Sequence, residues 1–172
     1  MSLDESEEGA MPPVFSEVEL IKVAIGIETR GITFYDIMAK SSDDEEAGAV
    51  FKYLVEMERE HLQTFRDLLE RAGEDAAPEA LPAERVSYIE ALVDTAVFTD
   101  DLMTSEMAAQ ATSDIKALEL AISTEKDSIL FYYEIRDDLP QRLSPAVRRI
   151  LAEEKAHLRQ LSDIKKRLTP PR

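Results

Sequence analysis

Cysteine and tryptophan are absent from this chain, and it holds only two histidines and five glycines. Without cysteine it can form no disulfide, no thiolate zinc site and no iron–sulfur cluster of its own. Basic residues are outnumbered, with 20 Lys and Arg against 36 Asp and Glu and a formal net charge of −16. That charge repels nucleic acid phosphates and anionic membrane surfaces, and it is compatible with attracting cations. No apolar run approaches the roughly 20 residues that span a bilayer. The start, Met1 to Gly9, is acidic, where a signal peptide would be basic and then apolar. The expectation is a cytoplasmic protein with neither a nucleic acid nor a membrane partner.

What is abundant points one way. Ala, Leu, Glu, Lys, Arg and Ile dominate, mostly helix formers. The 172 residues are 44% hydrophobic, enough for one domain with a sizeable core. The fold class predicted is all-α.

Residues 1–15 read as a disordered acidic lead-in, and residues 16–169 as a single domain. Ser16 and Glu19 have the spacing of a capping box. The first helix then covers 17–40, with Ile21, Ala24, Ile25, Glu28, Ile32, Tyr35 and Met38 on its inner face. A second helix over 44–72 turns Val50, Phe51, Leu54, Met57, Glu58, His61, Leu62, Phe65 and Leu68 inward, and Gly73 suits a left-handed C-cap. A crossover segment, 74–112, contains a further helix over 84–101, which Met103 and Met107 extend as core or interface residues. A third bundle helix over 113–138 buries Ile115, Leu118, Ile122, Glu125, Ile129 and Tyr132. The fourth, 144–168, starts with Pro145 at its first position and buries Val147, Ile150, Leu151, Glu154, His157, Leu158, Leu161 and Ile164.

The two halves repeat. A shift of 97 carries Glu28 onto Glu125 and Tyr35 onto Tyr132; a shift of 96 carries Glu58 onto Glu154 and His61 onto His157. Each half is one helical hairpin with a Glu, a Tyr and a Glu-x-x-His. Residues i and i+3 share a helix face, so each Glu-x-x-His can grip one ion. Both histidines of the chain fall in this pattern. A lone Glu-x-x-His means little, but six such groups in duplicated register are different. Four carboxylates left unpaired inside a bundle would be very costly without cations. A Glu from each of two helices and a Glu-x-x-His from each of the others is the ligand set of a dinuclear carboxylate site. Oxygen ligands with two imidazoles suit iron or manganese. Two metals about 3.5–4 Å apart can share O₂ or peroxide and supply one electron each. Tyr35 and Tyr132 lie seven residues after a ligand Glu; they either hydrogen-bond a carboxylate of the other hairpin, carry electrons, or are satisfied core tyrosines. Tyr133 reads as packing, and Glu60 and Glu153 as solvated flanks of the motifs.

With Glu28, Glu58, His61, Glu125, Glu154, His157, Tyr35 and Tyr132, the chain resembles a rubrerythrin-type member of the ferritin-like superfamily. The resemblance covers residues 17–72 and 113–168. It implies an antiparallel four-helix bundle of two hairpins with a long helical crossover. It also implies a site of two iron ions (manganese possible) that reduces peroxide or O₂ and oxidises ferrous iron. Glu58 and Glu154 would bridge the ions, and Tyr35 and Tyr132 are the candidate catalytic residues. Glu28 with His61 would hold one metal and Glu125 with His157 the other, following the halves of the repeat. The chain departs from the family pattern twice. No cysteine-ligated rubredoxin domain is possible here, so an external electron donor is expected. The family's further Glu, three residues after the third-helix Glu, is Ser128 here, and Gly31 in the first half; this points to a more ferritin-like site. A peroxidase or ferroxidase is therefore expected, ahead of an iron storage or delivery protein or a metal-stapled bundle. The apolar face of the crossover segment leads to the expectation of a homodimer.

Overall fold

The computed structural model describes residues 16–73, 81–95, 106, 108–141 and 143–169. Its helices are α1 (Glu17–Ser41), α2 (Glu45–Gly73), α3 (Ala83–Thr95), α4 (Asp114–Ile135) and α5 (Ser144–Leu168). Residues 42–44 turn α1 into α2, and α4 and α5 are joined by a connection of eight residues, of which 136–141 and 143 are described. Connections this short make each pair an antiparallel hairpin. The hairpins meet through α1 against α4 and α2 against α5. The result is a ferritin-like helical bundle, as expected. The expected lead-in, the helix beyond Thr95, Met103 and Met107 lie outside the described residues.

The helix ends follow local chemistry. Ser113 accepts a hydrogen bond from the Lys116 amide at 3.3 Å, an ordinary N-cap for α4. The Ser16 side chain makes no cap bond to the backbone; its hydroxyl donates to the Glu19 carboxylate, so the two residues pair side chain to side chain in place of the reciprocal backbone bonds of a capping box. Pro145 falls one place later than expected, because Ser144 is the first helical residue and Leu143 its N-cap. Gly73 is the last helical residue of α2, and no described glycine has positive φ, so the left-handed cap is not realised. The third bundle helix stops at Ile135, short of Asp138. There Arg85 of α3 donates to the Glu134 carbonyl at 2.6 Å and to the Asp138 carboxylate at 2.7 and 2.9 Å. A cation on a C-terminal carbonyl ends the helix and ties α3 across it. At the other end of α4, Asp114 accepts from the Ser42 hydroxyl and the Asp44 amide, both at 2.7 Å. This pins the second hairpin to the turn of the first.

The core divides along the bundle axis. One apolar cluster gathers Leu20 and Ile21 of α1, Phe65 and Leu68 of α2, Phe131 and Ile135 of α4 and Val147 and Ile150 of α5. The other gathers Phe34 and Met38, Phe51 and Leu54, Leu118 and Ala121, and Leu161 and Ile164 from the same four helices. On every helix the Glu and His residues fall between the two. Full burial of each large apolar side chain contributes roughly 1.5–3 kcal/mol, and these two slabs hold a polar layer closed between them.

Candidate metal centre

Glu28, Glu58, His61, Glu125, Glu154 and His157 are all buried. The four helices bring them together in the layer between the slabs. Two overlapping groups form: Glu28, Glu58, His61 and Glu154, and Glu58, Glu125, Glu154 and His157. Within each group, one ligand atom per residue lies within 4.8 Å of the others. Glu58 and Glu154 belong to both groups.

Both rings turn Nδ1 toward the carboxylates. His61 Nδ1 is 3.1 Å from Glu154, 3.3 Å from Glu58 and 3.6 Å from Glu28. His157 Nδ1 is 3.0 Å from Glu154 and 3.8 Å from Glu125. The rings lie nearly parallel, with centroids 5.7 Å apart. Tyr35 of α1 donates to Glu125 of α4 at 2.6 Å, and Tyr132 of α4 donates to Glu28 of α1. Each tyrosine thus bonds a carboxylate of the other hairpin. Phe51 stacks on Tyr35, and Phe65 tilts against Tyr132, which holds both phenols in place.

The electrostatics are those of a crowded anionic pocket holding protons. Burial, then repulsion from neighbouring carboxylates, pushes Glu58 and Glu125 well above the usual carboxylate range. Burial also raises Glu154, although its hydrogen bond with His61 partly offsets this. For Glu28, burial is outweighed by hydrogen bonds with Glu58 and His61, and its value falls. Burial works against charging His61, yet hydrogen bonds to Glu154, Glu28 and Glu58 overcome it and push the ring far up. His157 is held below its ordinary value, chiefly by burial. Burial and the adjacent carboxylates also raise both tyrosines, so they stay phenols and donate.

The donor set tests well against a pair of divalent cations. Four carboxylates and two imidazoles converge, and a Glu125 oxygen in the pocket has no hydrogen-bond partner. Buried polar atoms are ordinarily paired, and a cation would satisfy this one. The sequence profile of the rubrerythrin family matches residues 19–165.

The chain belongs to the rubrerythrin family. Among solved structures, a Thermotoga maritima protein assigned to the ferritin-like diiron-carboxylate class matches with a TM-score of 0.71 and 28% identity, over 92% of this chain and all of that one. A DUF305 fragment from Deinococcus radiodurans matches with a TM-score of 0.61 at 15% identity, over 91% of this chain and all of the fragment, and shows the fold alone. No curated protein sequence matches the chain. Membership in the rubrerythrin family and the Glu–His cluster together support a diiron protein.

One reading of the flanking residues is corrected. Glu153 is not a solvated flank: its side chain is 35% exposed and its Oε2 lies 3.0 Å from His61 Nε2. A signal was available, because Glu153 precedes His157 by four residues and so shares its helix flank, which faces α2. Glu60 is exposed. Tyr133 is 48% exposed and lies under Arg136 and Lys155 at the surface.

Proposed function

We propose that this rubrerythrin-family protein is a non-haem di-iron oxidoreductase that reduces peroxide or O₂ with oxidation of ferrous iron. The observation that carries the reading is the overlap of the two ligand groups at Glu58 and Glu154. A single-ion site needs no shared carboxylates; a paired site does. Glu28 with His61 would hold one ion and Glu125 with His157 the other, with Glu58 and Glu154 between them. The two ions would supply one electron each to a small oxidant.

The chain's own residues prepare the site for this. The carboxylates and His61 would release protons as cations bind, which would limit the change in the charge of the layer. Tyr132 fixes one oxygen of Glu28 and Tyr35 one oxygen of Glu125, so each of these carboxylates keeps a free oxygen for metal. With Ser128 where the family has a further Glu, and Gly31 at the equivalent place in the first half, no fifth carboxylate enters the layer from those positions, which favours ferroxidase-like turnover. The chain has no cysteine for a second redox centre, so an external donor must return the electrons.

Metal analysis of the whole protein, followed by stopped-flow absorbance after mixing its ferrous form with O₂ or peroxide, tests the reading. We expect two irons per chain and oxidation faster than that of free Fe²⁺ in the same buffer. Oxidation no faster than free Fe²⁺ with either oxidant would overturn the enzyme and leave storage or a metal-stapled bundle. Manganese in the isolated protein would keep the site and change the chemistry.

A further inference from the structure

The two halves of the site differ at the far side of the histidines. His61 turns Nδ1 into the pocket, and its outer nitrogen, Nε2, meets Glu153 Oε2 at 3.0 Å. His157 also turns Nδ1 into the pocket, but its Nε2 is buried without a hydrogen-bond partner. Beside that ring stands the edge of Tyr53, with centroids 6.0 Å apart and planes at 89°. The repeat explains the difference. Shifting Glu153 back by 96 lands on Met57, and a thioether is only a weak acceptor.

We propose that the two metal positions are unequal, and that Glu153 makes the one at His61 the tighter. The proposal rests on reading the six-residue layer as a two-metal site. Glu153 is a positioning residue here, since it touches the imidazole and not the ion. A carboxylate on Nε2–H fixes the tautomer that leaves a lone pair on Nδ1 and raises its basicity; losing such a partner costs about 10–100-fold in metal affinity. Glu153 is itself held: Arg149 Nε lies 3.9 Å from its other oxygen, and the same guanidinium donates to Thr64 of α2 at 3.0 Å. His157 has no such support: no partner at Nε2 fixes which tautomer its ring takes.

Titration of the metal-free full chain with Co²⁺, followed by calorimetry and by the visible absorption of the bound ion, tests this. Repulsion between two ions separates the steps in any paired centre, so the assignment decides. In the wild type we expect a tight and a weak step. His61→Ala should abolish the tight step, and His157→Ala the weak one. Glu153→Gln keeps the fold and an acceptor oxygen but removes the charge; it should weaken the tight step about tenfold and leave the weak step alone. Glu153→Asp should recover part of the loss. Met57→Glu should strengthen the weak step only. Unchanged constants in Glu153→Gln, or equal weakening of both steps, would overturn the proposal while leaving the two-metal reading intact. A protein that binds no Co²⁺ at all would overturn the metal reading and this proposal with it.

Discussion

Tyr35 and Tyr132 each bind a carboxylate that belongs to the opposite hairpin, so single side chains couple the two halves of the repeat. Leaving a buried hydrogen-bonding group without its partner costs about 1–3 kcal/mol. Tyr35→Phe should therefore lower the stability of the metal-free protein by roughly that amount, because an oxygen of Glu125 is left bare. It should keep both metals and alter the rate of oxidation, which thermal melts, metal analysis and stopped flow together would resolve. Glu58→Ala or Glu154→Ala removes a group that both ligand sets share, and metal and turnover should be lost together. Gly31 gives a test of opposite sign. A Cβ built there meets only Glu58 Cγ at 3.6 Å and Cδ at 3.8 Å, which is ordinary contact. Gly31→Ala should stabilise α1 by about 1 kcal/mol. A lower melting temperature would mean that Glu58 needs the space.

At the scale of elements, α3 stands apart from the repeat. It has a single buried residue, Ile89, and it is fastened by Arg85 to Glu134 and Asp138 at the end of α4. Arg85→Ala should release α3 without dissolving the bundle. Hydrogen exchange should quicken over Ala83–Thr95 while the amides of α1, α2, α4 and α5 keep their protection. Faster exchange throughout would show that α3 is part of the same cooperative unit. Hairpin against hairpin, the polar layer is the costly element: it interrupts two slabs of good packing for the sake of six groups that need a cation.

At the scale of the whole molecule, that cost appears as a dependence on pH. Glu58, Glu125 and Glu154 are raised from an ordinary 4.5, and His61 from 6.5. Groups raised on folding contribute stability that is complete below their unfolded values and is lost as pH rises through the folded ones. Glu28 and His157 are lowered and act oppositely, but only below about 4.5 and 6.5. Above about pH 6.5 the raised groups act alone. The metal-free protein should therefore melt at progressively lower temperature from about pH 6.5 upward. Divalent metal should cancel the trend, because cations replace the shared protons, and metal should bind more tightly as pH rises. A flat profile in the metal-free protein would argue against proton sharing in the layer. Sedimentation at tens of micromolar checks the expected homodimer, and a clean monomer would remove it.

The sequence by itself determined the helices, their pairing into hairpins and the identity of the six converging groups. Those follow from local periodicity and from duplication, and both are written in the order of residues: Glu28 with Glu125, and Glu58-x-x-His61 with Glu154-x-x-His157. It also predicted much of the core, but not its seam. Ile25 and Ile129 read as inward and are only partly buried, packed beside the first slab, while Ala117, Thr124 and Ser128, which the periodicity did not single out, are buried. Hydrophobicity cannot distinguish a large apolar residue on the flank of a helix from a small residue that a neighbouring helix covers, because that depends on where the neighbour lies. Only the tertiary structure decided which carboxylate each tyrosine takes, which nitrogen of each ring faces the pocket, and that Glu153 reaches His61 across the bundle. The tyrosine and Glu153 contacts join residues about a half-chain apart, and their geometry exists only once α1 is packed on α4 and α2 on α5.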